Sequence, residues 1–232
     1  IVWRESEDGR PSLSFMTQFP IVIWTCGDLY GGTIDDTEQQ LLGSYVFGGG
    51  CLLLEGDDIG YDHQGTTDWF MTSVAHAVWK DDHYNSAGTY VTVIEDHPIT
   101  QGLPSQMYLS GGNGCPWPDE VQPVNGSIAL MGYSDWTYYS LTAYNGSNGD
   151  GRVVYMAFSL DGLEQAYQQQ LVGNIVEWLK PEAWTDVPVA RSLWDQARPD
   201  IAANGSRIYM AYEDARYGNW DKAFAWSTDG GQ

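Results

Sequence analysis

The sequence predicts an α/β domain, a three-layer arrangement around a mostly parallel sheet with antiparallel additions, followed by a short all-β segment. Three observations predict it. Apolar runs alternate with amphipathic stretches early in the chain, paired runs typical of hairpins follow, and the last forty or so residues change to short strands around tight turns. At 232 residues the chain holds one large domain, or one domain and part of a second. The boundaries are drawn at 1–180 for the α/β domain, 181–188 for a linker and 189–232 for the all-β segment.

Taken in order, Ile21-Val22-Ile23-Trp24-Thr25 is a continuous apolar, β-rich run, the pattern of a strand buried on both faces. A helix is predicted from Thr33 to Phe47. Asp35 and Asp36 stand near its start, Leu41, Leu42 and Tyr45 share a stripe, and Gly48-Gly49-Gly50 stops it. Cys51-Leu52-Leu53-Leu54 reads as the next buried strand, and Asp68 to Val78 as a short helix rich in Trp and Phe. Strands are predicted from Tyr90 to Ile94, Ser127 to Gly132, Thr137 to Tyr144 and Arg152 to Phe158. An amphipathic helix follows from about Leu163 to Leu179, with Leu171, Ile175, Trp178 and Leu179 facing inward. Pro181 to Pro188 carries two prolines and acidic residues, as linkers do. Beyond it, Ile201-Ala202-Ala203 and Ile208 to Tyr212 flank the turn Asn204-Gly205, and Lys222 to Trp226 is a third short strand.

Charge narrows the partners. Thirty-one Asp and Glu face ten Lys and Arg, for a net charge of −21. Such a surface repels phosphate backbones and anionic membranes, so nucleic acid is excluded as a partner. No run approaches the ~18 apolar residues that a membrane span needs. The acidic residues are scattered rather than gathered in a tail, which leaves adaptation to saline surroundings or cation binding, and the scarcity of Lys along the whole chain favours the first. The three cysteines, Cys26, Cys51 and Cys115, have no metal-ligand spacing and cannot all pair. Cys26 closes one strand and Cys51 opens the next, so parallel neighbours would keep these two thiols apart.

The stretch Val22-Ile23-Trp24-Thr25-Cys26-Gly27-Asp28, the stretch Gly48 to Tyr61, the turn His97-Pro98-Ile99-Thr100-Gln101-Gly102-Leu103 and the run Gly151 to Phe158 go together. On these residues the segment Ile21 to Leu179 resembles the class I glutamine amidotransferase-like superfamily, in particular degenerate members appended to secreted proteins. The resemblance implies a flavodoxin-like α/β fold. It also implies that the strand and helix with which the family begins lie before Ile1, so the chain is expected to be a piece of a larger extracellular or cell-surface protein. Active members carry a Cys in Gly-x-Cys-x-Gly and a later His in Phe-His-Pro-Glu. Here the turn reads Gly56-Asp57-Asp58-Ile59-Gly60 and the later element Phe158-Ser159-Leu160-Asp161. Asp58 thus stands for the nucleophile and Ser159 for the base. Neither does that chemistry, so glutaminase activity is not expected.

Asp57, Asp58, Asp62 and His63 form the densest ionisable cluster of the α/β part, just past a strand's end, where open sheets bind ligands. With Ser159 and Asp161 they define the candidate crevice. Three readings stay open. Asp57 or Asp58 caps the next turn; Asp58 acts as a hydrolytic carboxylate with His63 or Asp161 in hydrogen-bond reach; or Asp57, Asp58 and Asp62 hold Ca²⁺, although their spacing fits no dedicated loop. No histidine pair has transition-metal spacing, and His97 reads as a loop residue satisfied by its surroundings.

The C-terminal segment resembles the sialidase-type β-propeller repeat, through Pro199-Asp200-Ile201-Ala202, Ile208 to Asp214 and Trp226-Ser227-Thr228-Asp229-Gly230-Gly231, the start of an Asp-box (BNR repeat). That motif pins a hairpin and implies no glycosidase activity. Its strand edges would be open to pairing, with a second copy of the chain among the candidates. Three Asn-Gly-Ser sequences, at Asn125, Asn145 and Asn204, match both a glycosylation pattern and ordinary turns. The expectation is a non-catalytic binding or structural module with a protein or polysaccharide partner. Trp69, Trp79, Trp117, Trp136, Tyr138 and Tyr139 are its candidate surface aromatics.

Overall fold

The computed structural model describes residues 8–180, apart from 66, 67, 83, 113, 135, 136 and 148, together with the backbone of 196–204, 207–214 and 221–227. A one-turn helix, α1 (Leu13–Met16), precedes strand β1 (Ile21–Gly27). Helix α2 (Asp36–Phe47) starts on a reciprocal cap: Asp35 accepts from the N–H groups of Thr37 and Glu38, and Glu38 accepts from the N–H of Asp35. After the glycines that end it comes β2 (Cys51–Gly56), buried along its whole length.

Two short helices, α3 (Ile59–Asp62) and α4 (Trp69–Ser73), lead to β3 (Ala77–Asp82) and β4 (Thr89–Val93). The helix expected from Asp68 to Val78 is thus cut short. His76 takes a left-handed backbone, φ 52°, which ends any helix, and Val78 and Trp79 pair with Gln122 and Val121 instead. The chain continues through β5 (Gln106–Leu109), β6 (Asp119–Pro123), β7 (Ile128–Tyr133), β8 (Tyr139–Tyr144) and β9 (Val153–Met156) to helix α5 (Gln165–Leu179).

Nine strands make one mixed sheet in the order β1-β2-β9-β8-β7-β4-β5, with β6 joined to β8 and β3 to β6. The expected parallel majority is corrected: β1/β2 and β2/β9 are parallel, and the other six pairings are antiparallel. Parallel neighbours need a crossover of a dozen or more residues, whereas short turns such as that between β7 and β8 only return the chain antiparallel. β1 closes one end of this order. It is half-buried rather than buried on both faces, and Ile23 is 47% exposed.

Side chains alternate along β2 and β9 between two cores. Cys51, Leu53, Val154 and Met156 pack with Leu171, Ile175 and Leu179 of α5, while Leu52, Leu54, Val153 and Tyr155 pack with Leu42, Tyr45 and Val46 of α2. Helices therefore cover both sides of these central strands. Farther out, Tyr90, Tyr108 and Ile128 are exposed, so two-sided packing does not extend across the antiparallel wing.

The chain divides into two units, Ile1–Pro181 and Glu182–Gln232. In the second, β10 (Gln196–Asn204), β11 (Arg207–Asp214) and β12 (Asp221–Ser227) form an antiparallel meander, as the sequence predicts. The linker and residues 228–231 of the Asp-box lie outside the described residues.

Candidate functional site

The ends of β1, β2 and β9 lie on one edge of the sheet, and Glu55 ties them together. Its carboxylate accepts from the Thr25 hydroxyl and, at 2.7 Å, from the N–H of Leu160. Burial raises the Glu55 pKa above the usual range, and these bonds work in the other direction.

The turn after β2 carries Asp57 and Asp58, which are 0% and 1% exposed. Asp57 Oδ2 accepts from the N–H of Trp117 at 3.3 Å, while its Oδ1 and both oxygens of Asp58 have no hydrogen-bond partner among the described residues. Burial, reinforced by Asp28 and Glu55, pushes Asp57 up to about 6. Burial and then repulsion from Asp57, Asp82 and Asp62 push Asp58 up to about 7.

Asp58 stands at the N-cap position of α3 but makes no capping bond with its side chain. The cap comes from Asp119 at the start of β6, which accepts from the N–H of Gly60 at 2.6 Å and of Tyr61 at 3.0 Å and from the Tyr155 hydroxyl at 3.2 Å. Asp119 is wholly buried, and burial holds its carboxyl well above the usual range. Gly60 is required for this contact, because a Cβ there would sit 2.8 Å from Asp119 Oδ2. The capping role open to Asp57 or Asp58 on sequence thus falls to a third aspartate, 61 residues beyond Asp58.

The remaining candidates are not gathered around Asp58. The Asp62 carboxylate accepts from the N–H and hydroxyl of Thr33 at 2.8 and 2.9 Å. His63 lies 3.7 Å from Asp68 and packs against the Phe70 ring. Ser159 is buried and caps the turn Leu160–Gly162, accepting from the N–H of Asp161. Its own N–H donates to Cys115 Sγ at 3.3 Å. No hydrogen bond joins Asp58 to His63 or Asp161. The Ca²⁺ ligand set of Asp57, Asp58 and Asp62 does not form either, and no three His, Cys, Asp or Glu among the described residues group as a metal site.

His97 accepts from the N–H of Ile99 at 3.2 Å and caps Pro98–Thr100, as its sequence context predicts. Cys26, Cys51 and Cys115 are free thiols. Ile21 pairs with Cys51, so Cys26 and Cys51 sit at opposite ends of the β1/β2 ladder. Asn125 spends its side-chain amide on the Thr72 carbonyl at 2.8 Å and turns with Gly126 in left-handed backbone.

Of the aromatics singled out, Trp117 is exposed and rests 4.7 Å from the exposed ring of Tyr84. Trp69 packs on the core and Trp79 meets Tyr61 edge-on, while Trp136 lies outside the described residues. Sequence reasoning missed Glu55, Cys115 and Asp119. Glu55 alone left a signal, as an acid inside an otherwise apolar strand.

No protein-family model matches the sequence, and no curated protein does. Solved structures do. A ThuA-like protein from Bacteroides uniformis is 12% identical with a TM-score of 0.50, over 75% of this chain and 79% of that one. The mmIFT52 N-terminal domain is 13% identical with a TM-score of 0.51, over 73% and 80%. A GMP synthase subunit from Thermoplasma acidophilum is 12% identical with a TM-score of 0.49, over 72% and 76%. At such identities the likeness concerns the fold alone.

Proposed function

We propose that residues 1–180 are a non-catalytic binding or structural module built on the glutamine amidotransferase-like fold. The observation that carries this reading is the pair of substituted positions. Asp58, where the resembled family has its Cys, is a buried carboxylate with no hydrogen-bond partner among the described residues, and Ser159, where it has its His, is spent capping a turn. Glutaminase chemistry needs a thiolate with a base within ~3 Å, and these two positions supply neither. The test is ammonia release from glutamine at pH 6 to 9, expected at the buffer rate. Turnover that Asp58→Asn abolishes would overturn the proposal.

A second reading, hydrolysis at Asp58, draws support from a carboxyl pushed up to about 7, poised for acid–base work at neutral pH. Chromogenic esters and glycosides assayed from pH 5 to 8 decide between the two, with no Asp58-dependent rate expected.

The rest of the proposal follows the composition and the resemblances. The chain works outside the cell or at its surface, in saline surroundings, with a protein or polysaccharide partner. Residues 189–232 start a β-propeller-like repeat, and the outer edge of β1 offers a place for a second copy to add a strand.

A further inference from the structure

Of the three Asn-Gly-Ser sequences, those at Asn125 and Asn145 fall in the α/β domain with their asparagine side chains described. Their three residues are the same, so the local chemistry of the two asparagines is the same, and any difference between them is made by the fold. Asparagine before glycine is open to attack by the next backbone nitrogen on the side-chain amide, because glycine has no Cβ to hinder the approach.

The fold holds one of them and leaves the other. Asn125 and Gly126 are the central residues of a closed turn, with φ of 52° and 90°, and the N–H of Ser127 donates to the Val124 carbonyl at 3.1 Å. The Asn125 amide donates to the Thr72 carbonyl, and the Ser127 hydroxyl donates to the His76 carbonyl and accepts from the N–H of Val124. Asn145, by contrast, is exposed and lies just beyond β8, outside any strand. Neither its side-chain amide nor the N–H of Gly146 makes a hydrogen bond among the described residues. The neighbouring turn is closed from the N–H of Asp150 to the Ser147 carbonyl at 2.9 Å, which leaves Asn145 and Gly146 outside it.

We propose that Asn145 is a site of spontaneous conversion to an acidic residue, a covalent modification that the fold permits here and suppresses at Asn125. This goes beyond the binding reading above and does not depend on it. The Gly146 nitrogen gives its proton to solvent base and bonds to Asn145 Cγ; the Cγ–Nδ2 bond breaks, and Nδ2 takes up a proton and leaves as ammonia. Water then opens the cyclic imide at either carbonyl. One opening leaves an aspartate, the other an isoaspartate with the main chain rerouted through the side chain. One water is consumed, one ammonia is released, and nothing is oxidised or reduced. Either product adds negative charge to a chain already at −21, and the isoaspartate lengthens the main chain by a methylene directly after Tyr144. Tyr144 pairs with Val153, stacks on His76 with ring centroids 3.5 Å apart, and shares a hydrogen bond with Ser147. The modification therefore strikes the hairpin that sets β8 in register with β9.

The test follows the full chain at pH 8 and 37 °C by peptide mass spectrometry, with fragment ions that separate Asn145 from Asn148 and isoaspartyl methyltransferase to label the product. In urea the two asparagines are expected to convert at the same rate. In the folded chain Asn145 should keep most of that rate, and Asn125 should fall at least tenfold below it. Ser127→Ala, which loosens the closed turn, should bring Asn125 up towards Asn145. Aged chain should melt lower than fresh chain, and Asn145→Gln should age without that drop. Equal rates at the two sites of the folded chain would overturn the proposal, as would an amide at Asn145 that outlasts the one at Asn125. An aged Asn145→Gln chain that loses as much stability as the natural one would overturn the claim on the hairpin. None of these outcomes bears on the catalytic assays, whose positive result would sink the non-catalytic reading alone.

Discussion

Asp57 and Asp58 have folded pKa values of about 6 and about 7, against about 3.9 for an unfolded aspartate. Folding therefore takes up protons. The stability these two groups contribute is whole below about pH 4, is lost as pH rises through about 6 and then about 7, and changes no further above that. Asp58→Asn keeps the shape and removes the charge. It should melt higher than the natural chain at pH 8 and come close to it near pH 4. A lower melting temperature at pH 8 would mean that the Asp58 charge is compensated after all. Asp119→Ala is the opposite case. It strands the N–H groups of Gly60 and Tyr61, and urea denaturation should register a loss of about 1–3 kcal/mol.

Among the elements, α2, β2 and α5 follow their sequence signals closely, because each carries a strong local cue: the cap at Asp35 and the stop at Gly48, an unbroken apolar run, and a clear amphipathic stripe. Ile175 of α5 is fully buried among Leu53, Val154 and Met156 and their neighbours, and Ile175→Ala should cost about 2–5 kcal/mol in thermal unfolding. Where local cues are weak, tertiary pairing decides. Ala77 to Asp82 has no alternation of its own and becomes a strand because β6 is there to receive it. β6 itself, Asp-Glu-Val-Gln-Pro, reads as a loop, yet it delivers the buried Asp119. The candidate site was legible at Asp57 and Asp58 for this reason and illegible at Asp119 and Cys115, which reach it only through long-range contacts. β2 and β9 also approach so closely at their starts that a Cβ on Gly151 would lie 1.9 Å from the Gly50 carbonyl. Gly151→Ala should cost at least about 1–3 kcal/mol, read by the same melts.

Across the whole molecule, self-repulsion from the charge of −21 governs the response to salt. The Debye length shrinks from about 10 Å at 0.1 M salt to about 3 Å at 1 M, so the melting temperature should climb over that range of NaCl. CaCl2 at matched ionic strength should do no more than NaCl, and a calcium-specific rise would mean that an ion site exists. The sheet's pairing order also has a kinetic consequence. The hydrogen bond from Leu160 to Glu55 spans 105 residues, and β2 meets β9 across a similar distance, whereas β7 and β8 meet across one short turn. Closing the long loop costs entropy before any contact repays it, so the antiparallel wing should assemble early and the parallel trio late. Substitutions in β7 and β8 are then expected to slow refolding in stopped-flow, and Val154→Ala chiefly to hasten unfolding. Until β9 arrives, β2 waits with a row of leucines and one open edge, which makes this interval the moment at which the nascent chain most needs protection from aggregation.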